Sequence, residues 1–283
     1  FFFFLVSSFF GVFASTTMQK NKKHSHFSLS LPPSPNQPAT APETFSRVGR
    51  QSAVTSQPSS TSLEDPTTAA AAAALVSCPT ASIHASSSFK PSEIAAAAAR
   101  FLPCAVPGIP SVTQGGPPVL FLGYTSGKSF GASSYLLLRS KEEGGNIMVD
   151  SPRFDPRLLQ KIEALGGAEW IFLTHRDDVA DHARWASKLG ARRIMHALEC
   201  NEQQGTNEVE VKLEGQGPWT LRDCGGSEKE SDEEIKFVLQ PGHTEACVAM
   251  FHAPSRALFS GDVVSCGSEA GWFAEDGSPK LHA

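Results

Sequence analysis

"LTHRDDVADHARW" (residues 173–185) follows the apolar run "WIFL" and sets two histidines and three aspartates within one short stretch, His175 to His182. Aspartates this close repel one another, and a helix N-terminus offsets only part of that charge. Imidazoles and carboxylates are the side chains that hold zinc or iron, so the stretch reads as part of a metal site. The alternative for this stretch alone is that Asp177 or Asp178 caps a helix and His182 is an exposed helix residue. The spacing predicts a helix from about Asp177, with Asp178, Asp181 and His182 at i, i+3 and i+4 on one face. His175 precedes that helix, at the end of a buried strand.

Working outward, each flank alternates strand and helix signals. Upstream, "PVLFLGY" and "SSYLLLR" are strand-length apolar runs separated by the turn "TSGKSFGA", and "NIMVD" ends on Asp150. "DPRLLQKIEAL" predicts a helix with Asp155 as N-cap, Pro156 at its first position and Gly166-Gly167 as its stop. "VADHARWASKLG" is a helix closed by Gly190, and further strands are expected at "ARRIMHA", "EVEVKLEG", "EIKFVLQ", "CVAMFHA" and "ALFSGDVV". Two of these junctions carry chemistry. "LQPGHTEACVAMF" places His243 in a turn between strands, and "RALFSGDVV" places Asp262 behind a glycine at a strand end. A lone His or Asp there is unremarkable; the ordered set behind "HRDDVADH" is not.

That order resembles the metallo-β-lactamase superfamily, from about Pro118 to the end. "NIMVDSPRF" is similar to the family's early strand ending in Asp, "FLTHRDDVADH" to its H-x-H-x-D-H motif, "PGHT" to its next histidine loop and "LFSGD" to its bridging-aspartate loop. The resemblance implies an α+β fold, a four-layer αββα sandwich, here without its last elements. It implies one or two zinc ions, with iron as the alternative, at His175, Asp177, Asp178, Asp181, His182, His243 and Asp262. His175, a carboxylate from Asp177 or Asp178, and His243 would make a first site. Asp181 and His182 would make a second, with Asp262 between, and Asp181 would orient a hydroxide nucleophile. The chain departs from the pattern in two ways. Asp177 stands where the second motif histidine belongs, with two extra residues before Asp181-His182, a variant similar to plastid and cyanobacterial members. No last histidine is matched, since His282 stands too close behind Asp262. The implied reaction is hydrolysis of an ester, thioester, lactone or amide. The runners-up are a non-catalytic binding scaffold and an iron-dependent redox enzyme.

Composition narrows the partners. The 283-residue chain has a net charge of −5, of which the first 90 residues carry +3, leaving −8 for the remainder. An acidic folded part lacks the basic face that nucleic acid requires, so a small-molecule substrate is expected. The apolar run at the start is too short for a membrane span. Six cysteines without a C-x-x-C pair exclude ordinary zinc-ribbon and iron–sulfur spacings and suggest free thiols. His196, the packing residues Trp170, Phe172 and Trp185, and the thiols Cys200, Cys247 and Cys266 read as structural, with Cys266 near the pocket by spacing alone. His252 is expected to face solvent, and the charge run "CGGSEKESDEE" (224–234) to be a solvated loop.

Residues 1–90 read as a disordered leader. "FFFFLVSSFFGVFAS" has the look of a signal's apolar region or of translated leader sequence, with Met18 as the true start. From Met18 the chain is hydroxyl-rich, basic and acid-poor, the composition of a transit peptide. Its Ser and Pro excess points to the chloroplast stroma, with mitochondrion and cytoplasm as alternatives. Residues 91–117 read as a linker holding a short helix, "SEIAAAAARFL", with Ser92 as N-cap, and residues 118–283 as the domain. The missing first Met and the early end suggest a fragment.

Overall fold

The computed structural model describes residues 3–6, 66–81, 83–85, 89–109, 118–227 and 229–264. Most of the expected leader lies outside the described residues, as do residues 265–283 with Cys266 and His282.

Two β-sheets form the frame. The first runs in the order β2 (Cys104–Ala105), β3 (Val119–Phe121), β4 (Tyr135–Leu137), β5 (Ile147–Val149), β6 (Trp170–Phe172), β7 (Arg192–His196) and β8 (Val211–Leu213). The second runs β1 (Phe3–Val6), β12 (Ala257–Gly261), β11 (Val248–His252), β10 (Ile235–Leu239) and β9 (Trp219–Thr220). Every strand expected from Pro118 onward is present; β2 and β9 are too short to leave a pattern. The central strands of the first sheet, β4, β5 and β6, are buried on both faces, which is why they read as continuous apolar runs rather than alternating ones.

The inner faces of the sheets meet in one core. Tyr135, Val149, Phe172 and Ile194 face Phe237, Met250 and Phe259, with the Phe172 and Phe237 rings 4.8 Å apart. Each such aromatic stabilises the fold by roughly 1.5–3 kcal/mol through the area it removes from water. The outer face of the first sheet packs Leu122, Leu136, Met148 and Ile171 under the helices α3 (Pro156–Ala164) and α4 (His182–Leu189). Asp155 caps α3 as expected, accepting from the amides of Arg157 (2.8 Å) and Leu158 (3.4 Å). Leu158 and Ile162 turn inward from α3, while Leu165 is exposed. Gly190, in the left-handed conformation, closes α4. The outer face of the second sheet shows a groove lined by Val238, Ala249, Phe251 and Leu258, with no helix over it among the described residues. The αββα sandwich is therefore represented by its α, β and β layers.

The folded part starts earlier than expected. Helix α1 (Pro66–Val76) packs on α2 (Pro91–Phe101), and Ala73 joins the core beside Leu102 and Leu120. The amide of Thr125 donates to the Val76 carbonyl at 3.1 Å, which fastens α1 to the loop after β3. Both helices are alanine-rich, so they approach closely without the large apolar stripe that would advertise a buried helix. Helix α2 begins one residue ahead of the expected cap: Lys90 is the N-cap, Pro91 opens the helix, and Glu93 accepts from the Lys90 amide at 2.8 Å. Among the described residues no helix is long and apolar enough to cross a membrane.

Two other expectations are corrected. His252 is buried, not solvent-facing; its Nδ1 lies 2.7 Å from Ser255 Oγ, and burial with the nearby Arg139 charge pushes its pKa down to about 4. The charge run around residue 230 is not wholly solvated. Asp232 is buried, accepts from Arg139 at 2.9 Å, and binds Ser227 through its amide and hydroxyl. A carboxylate taken from water needs such partners, and the pair ties the first sheet to the segment leading into β10.

Candidate metal centre

Strand direction explains why the polar residues converge. β5, β6 and β7 are mutually parallel, so their C-terminal ends share one edge, and the chain leaves them at Asp150, Thr174–His175 and His196–Glu199. In the second sheet β10, β11 and β12 are antiparallel, so the β10–β11 turn with His243 and the end of β12 with Asp262 lie at one edge. The edges are joined directly: the Val248 amide donates to the Thr174 carbonyl at 2.9 Å. Gly261 sits at φ +51°, where an added Cβ would stand 2.6 Å from Thr174 Oγ1. Only glycine lets the Asp262 turn come this close.

Five of the predicted ligands meet at this seam. His175 Nε2 lies 3.8 Å from an oxygen of Asp177 and 3.8 Å from one of Asp262. His243 Nε2 lies 3.2 Å from Asp177 and 3.8 Å from Asp262, and the two imidazole rings stand edge to face with centroids 5.0 Å apart. The donor atoms of His175, Asp177 and His243 fall within 4.8 Å of one another, and so do those of His175, Asp178 and Asp262. Asp177 and Asp178 therefore both belong to the cluster, one in each triad.

The electrostatics suit a cation. His175 is fully buried, and its Nε2 makes no hydrogen bond. Burial holds its pKa below the usual histidine range against the pull of Asp262 and Asp177, leaving a neutral ring with a lone pair to give. Asp178 is also buried, and its Oδ2 has no hydrogen-bond partner. Burial, then the charges of Asp150, Asp262 and Asp177, push its carboxyl well above the usual range. Asp150 is raised to about 8, chiefly by burial, although the Thr174 amide (2.8 Å) and hydroxyl (3.0 Å) donate to it. Unpaired buried polar atoms are costly, and two of them on residues of one donor cluster are what a metal site looks like before its ion is counted.

Asp181 and His182 stand elsewhere. Residues 176–181 form turns and α4 begins only at His182, so the helical spacing that would have grouped Asp178 with Asp181 and His182 does not exist. Asp181 sits at φ +54°; its Oδ2 accepts from the Phe154 amide at 2.9 Å and its Oδ1 lies 3.4 Å from Lys128 Nζ. The Ala180 amide is held by Ser129 Oγ at 2.8 Å, which keeps this loop out of the helix. His182 is buried between Arg193, whose Nη1 lies 3.2 Å from its Nδ1, and the Gln204 carbonyl, 3.1 Å from its Nε2. With Arg193 donating to Nδ1, Nε2–H donates to the carbonyl, and no lone pair is left for a metal. His196 is structural too: its Nδ1 accepts from the Leu198 amide and its Nε2 meets the Gly215 carbonyl.

Two contributors had no place among the predicted site residues. Thr174 Oγ1 lies 3.0 Å from His175 Nδ1 and also binds Asp150, linking the strand-end aspartate to the histidine. Glu199, buried in the 3-10 turn Ala197–Glu199, accepts from Arg176, Thr244 and Ala246. Burial opposes its charge, but these bonds prevail and hold its pKa at about 2. One signal in the sequence was available: Arg176 lies inside an acidic motif, and Glu199 follows the strand parallel to the one that delivers Arg176.

Comparison with known proteins gives two results. Residues 38–85, less than a fifth of the chain, match the 4Fe-4S single cluster domain of Ferredoxin I. Such a cluster is held by four thiolates, and this segment has one cysteine, Cys78, so its residues do not fit the cluster. Among solved structures, the chain is similar to a Cronobacter sakazakii metallo-β-lactamase with a HARLDQ motif (21% identity, TM-score 0.34). That match covers 49% of this chain and 56% of the other, so the chain spans little more than half of that relative's length. It is also similar to TTHA1623 in a di-iron-bound form (20%, TM-score 0.36, covering 52% and 74%). A third is BJP-1, a subclass B3 metallo-β-lactamase of Bradyrhizobium japonicum (17%, TM-score 0.32, covering 47% and 53%). These neighbours are metallo-β-lactamase fold proteins, and at such TM-scores the likeness says nothing about the chemistry of this chain.

Proposed function

We propose that this protein is a metal-dependent hydrolase acting on an ester, thioester, lactone or amide of a small molecule. The observation that carries this reading is the fully buried His175 Nε2, free of hydrogen bonds and facing Asp177, Asp262 and His243, with a second unpartnered atom, Asp178 Oδ2, beside it. His175, Asp177, Asp178, His243 and Asp262 would hold the ion or ions. Zinc accepts this donor set, and so does iron, which the three carboxylates favour more than an all-histidine site would. A divalent cation supplies an acidified water, with a pKa near 7, and polarises a carbonyl.

The protein's own part follows from the residues. Thr174 and Asp150 orient the His175 ring, and Asp262, at the end of β12, faces both imidazoles. Asp178, whose carboxyl burial raises well above the usual range, would give up its proton on taking an ion, so metal uptake here would release a proton. Asp181, which accepts from the Phe154 amide and lies 3.4 Å from Lys128 Nζ, is given no catalytic part in this reading.

Metal analysis of the purified chain, followed by an assay against an ester, thioester and lactone panel, tests the reading. Zinc is expected in the wild type, lost in His175→Ala and Asp178→Ala and kept in Asp181→Ala, with hydrolysis tracking the metal. A chain that takes up no metal sinks the proposal. Metal without hydrolysis of any panel member leaves a binding scaffold, and iron with a visible absorption band would move the reading to redox chemistry.

A further inference from the structure

Glu199 touches none of the five clustered donors, yet it binds the loops that carry most of them. Its Oε2 accepts from the Arg176 amide (3.1 Å) and Arg176 Nε (2.7 Å), and its Oε1 from Arg176 Nη2 (3.2 Å). The same Oε1 accepts from the Thr244 hydroxyl at 2.8 Å and the Ala246 amide at 3.0 Å. Arg176 stands between His175 and Asp177, on the loop leaving the first sheet; Thr244 follows His243, on the turn of the second. Arg176 is itself held from outside, since its Nη2 donates to the Leu198 carbonyl (3.1 Å) and Gln204 Nε2 donates to its own carbonyl (2.7 Å).

From this geometry, and resting on the metal reading above, we infer that Glu199 is a positioning residue that sets His243 against the His175–Asp177 pair. His243 is half exposed, and its described side-chain partners are Asp177 (3.2 Å), Asp262 (3.8 Å) and the edge-to-face ring of His175, all members of the same cluster. Its imidazole is therefore held to the first sheet only through the groups that would themselves hold the ion. The backbone bond from Val248 to Thr174 joins the sheets behind it. Glu199 joins them on the side of the turn itself. A carboxylate suits this task because every one of its partners is a donor; two acceptor oxygens satisfy both loops at once. Glutamine keeps the shape but presents an NH2 group to one set of donors, so one loop must let go. Aspartate lacks the methylene needed to reach both.

The test is cobalt(II) titration of the full chain, read by affinity and by the visible d–d bands that report the ligands. Glu199→Gln and Thr244→Val are each expected to raise the cobalt Kd by about 10- to 100-fold, the range for losing a group that orients a ligand. Their spectra should move toward that of His243→Ala. Thr244→Val removes one donor from the clamp and leaves the Glu199–Arg176 contact, so it serves where Glu199→Gln fails to fold. A wild-type Kd in Thr244→Val overturns the inference, as does weaker binding with unchanged bands, which would mean general loosening. A wild type that binds no cobalt overturns the metal reading itself and this inference with it.

Discussion

Thr174 decides which nitrogen of His175 is available. Its hydroxyl has one hydrogen, and donation to Asp150 leaves His175 Nδ1–H to donate in turn to Thr174 Oγ1, 3.0 Å away. The lone pair then resides on Nε2, the atom that faces the cluster. Thr174→Val keeps the branched shape and removes the relay. The expected result is a 10- to 100-fold loss of zinc affinity in isothermal titration, with about 1–3 kcal/mol of stability lost because Asp150 forfeits a partner. Unchanged zinc affinity would show that the ring is oriented by packing instead. His182 illustrates the opposite fate. Beside Asp181 in the sequence it looks like a ligand, but Arg193 and the Gln204 carbonyl occupy both of its nitrogens. The partner that decides this, Arg193, lies on a different element, strand β7, and no spacing within the motif reveals it.

At the scale of elements, the turn after β12 is the narrowest fit. Gly261→Ala would force a residue with a side chain to φ +51° and bring its Cβ to 2.6 Å from Thr174 Oγ1. Chemical denaturation should show a loss on the order of 1–3 kcal/mol, and Asp262 should withdraw from His175, weakening zinc binding in the same variant. Stability and affinity both unchanged would mean that the turn has room to shift. The strands and α3 were legible because their signals are local: apolar runs bounded by glycine, and an Asp-Pro cap that the structure uses as expected. The start of α4 was not, because Ser129 and Phe154 hold the 177–181 segment in turns through tertiary contacts. That displacement divided the motif, keeping Asp177 and Asp178 at the cluster and turning Asp181 and His182 away from it.

Across the whole molecule, the layers were readable from the alternation of elements, whereas the place of α1 was not. A run of alanines carries no periodicity, so its role in covering Leu102 and Leu120 emerges only once α2 lies beside it. The larger consequence concerns the seam. His175, Asp177 and Asp178 hang from the first sheet, and His243 and Asp262 from the second. An ion shared between them would be a removable rivet through both halves of the sandwich, and prying the sheets apart would expel it. Mass action then links occupancy to melting: free zinc at 100 times its Kd should add about 2.7 kcal/mol. Chelation should lower the Tm of the wild type while leaving His175→Ala where it was. Equal shifts in the two proteins would mean that the chelator acts elsewhere.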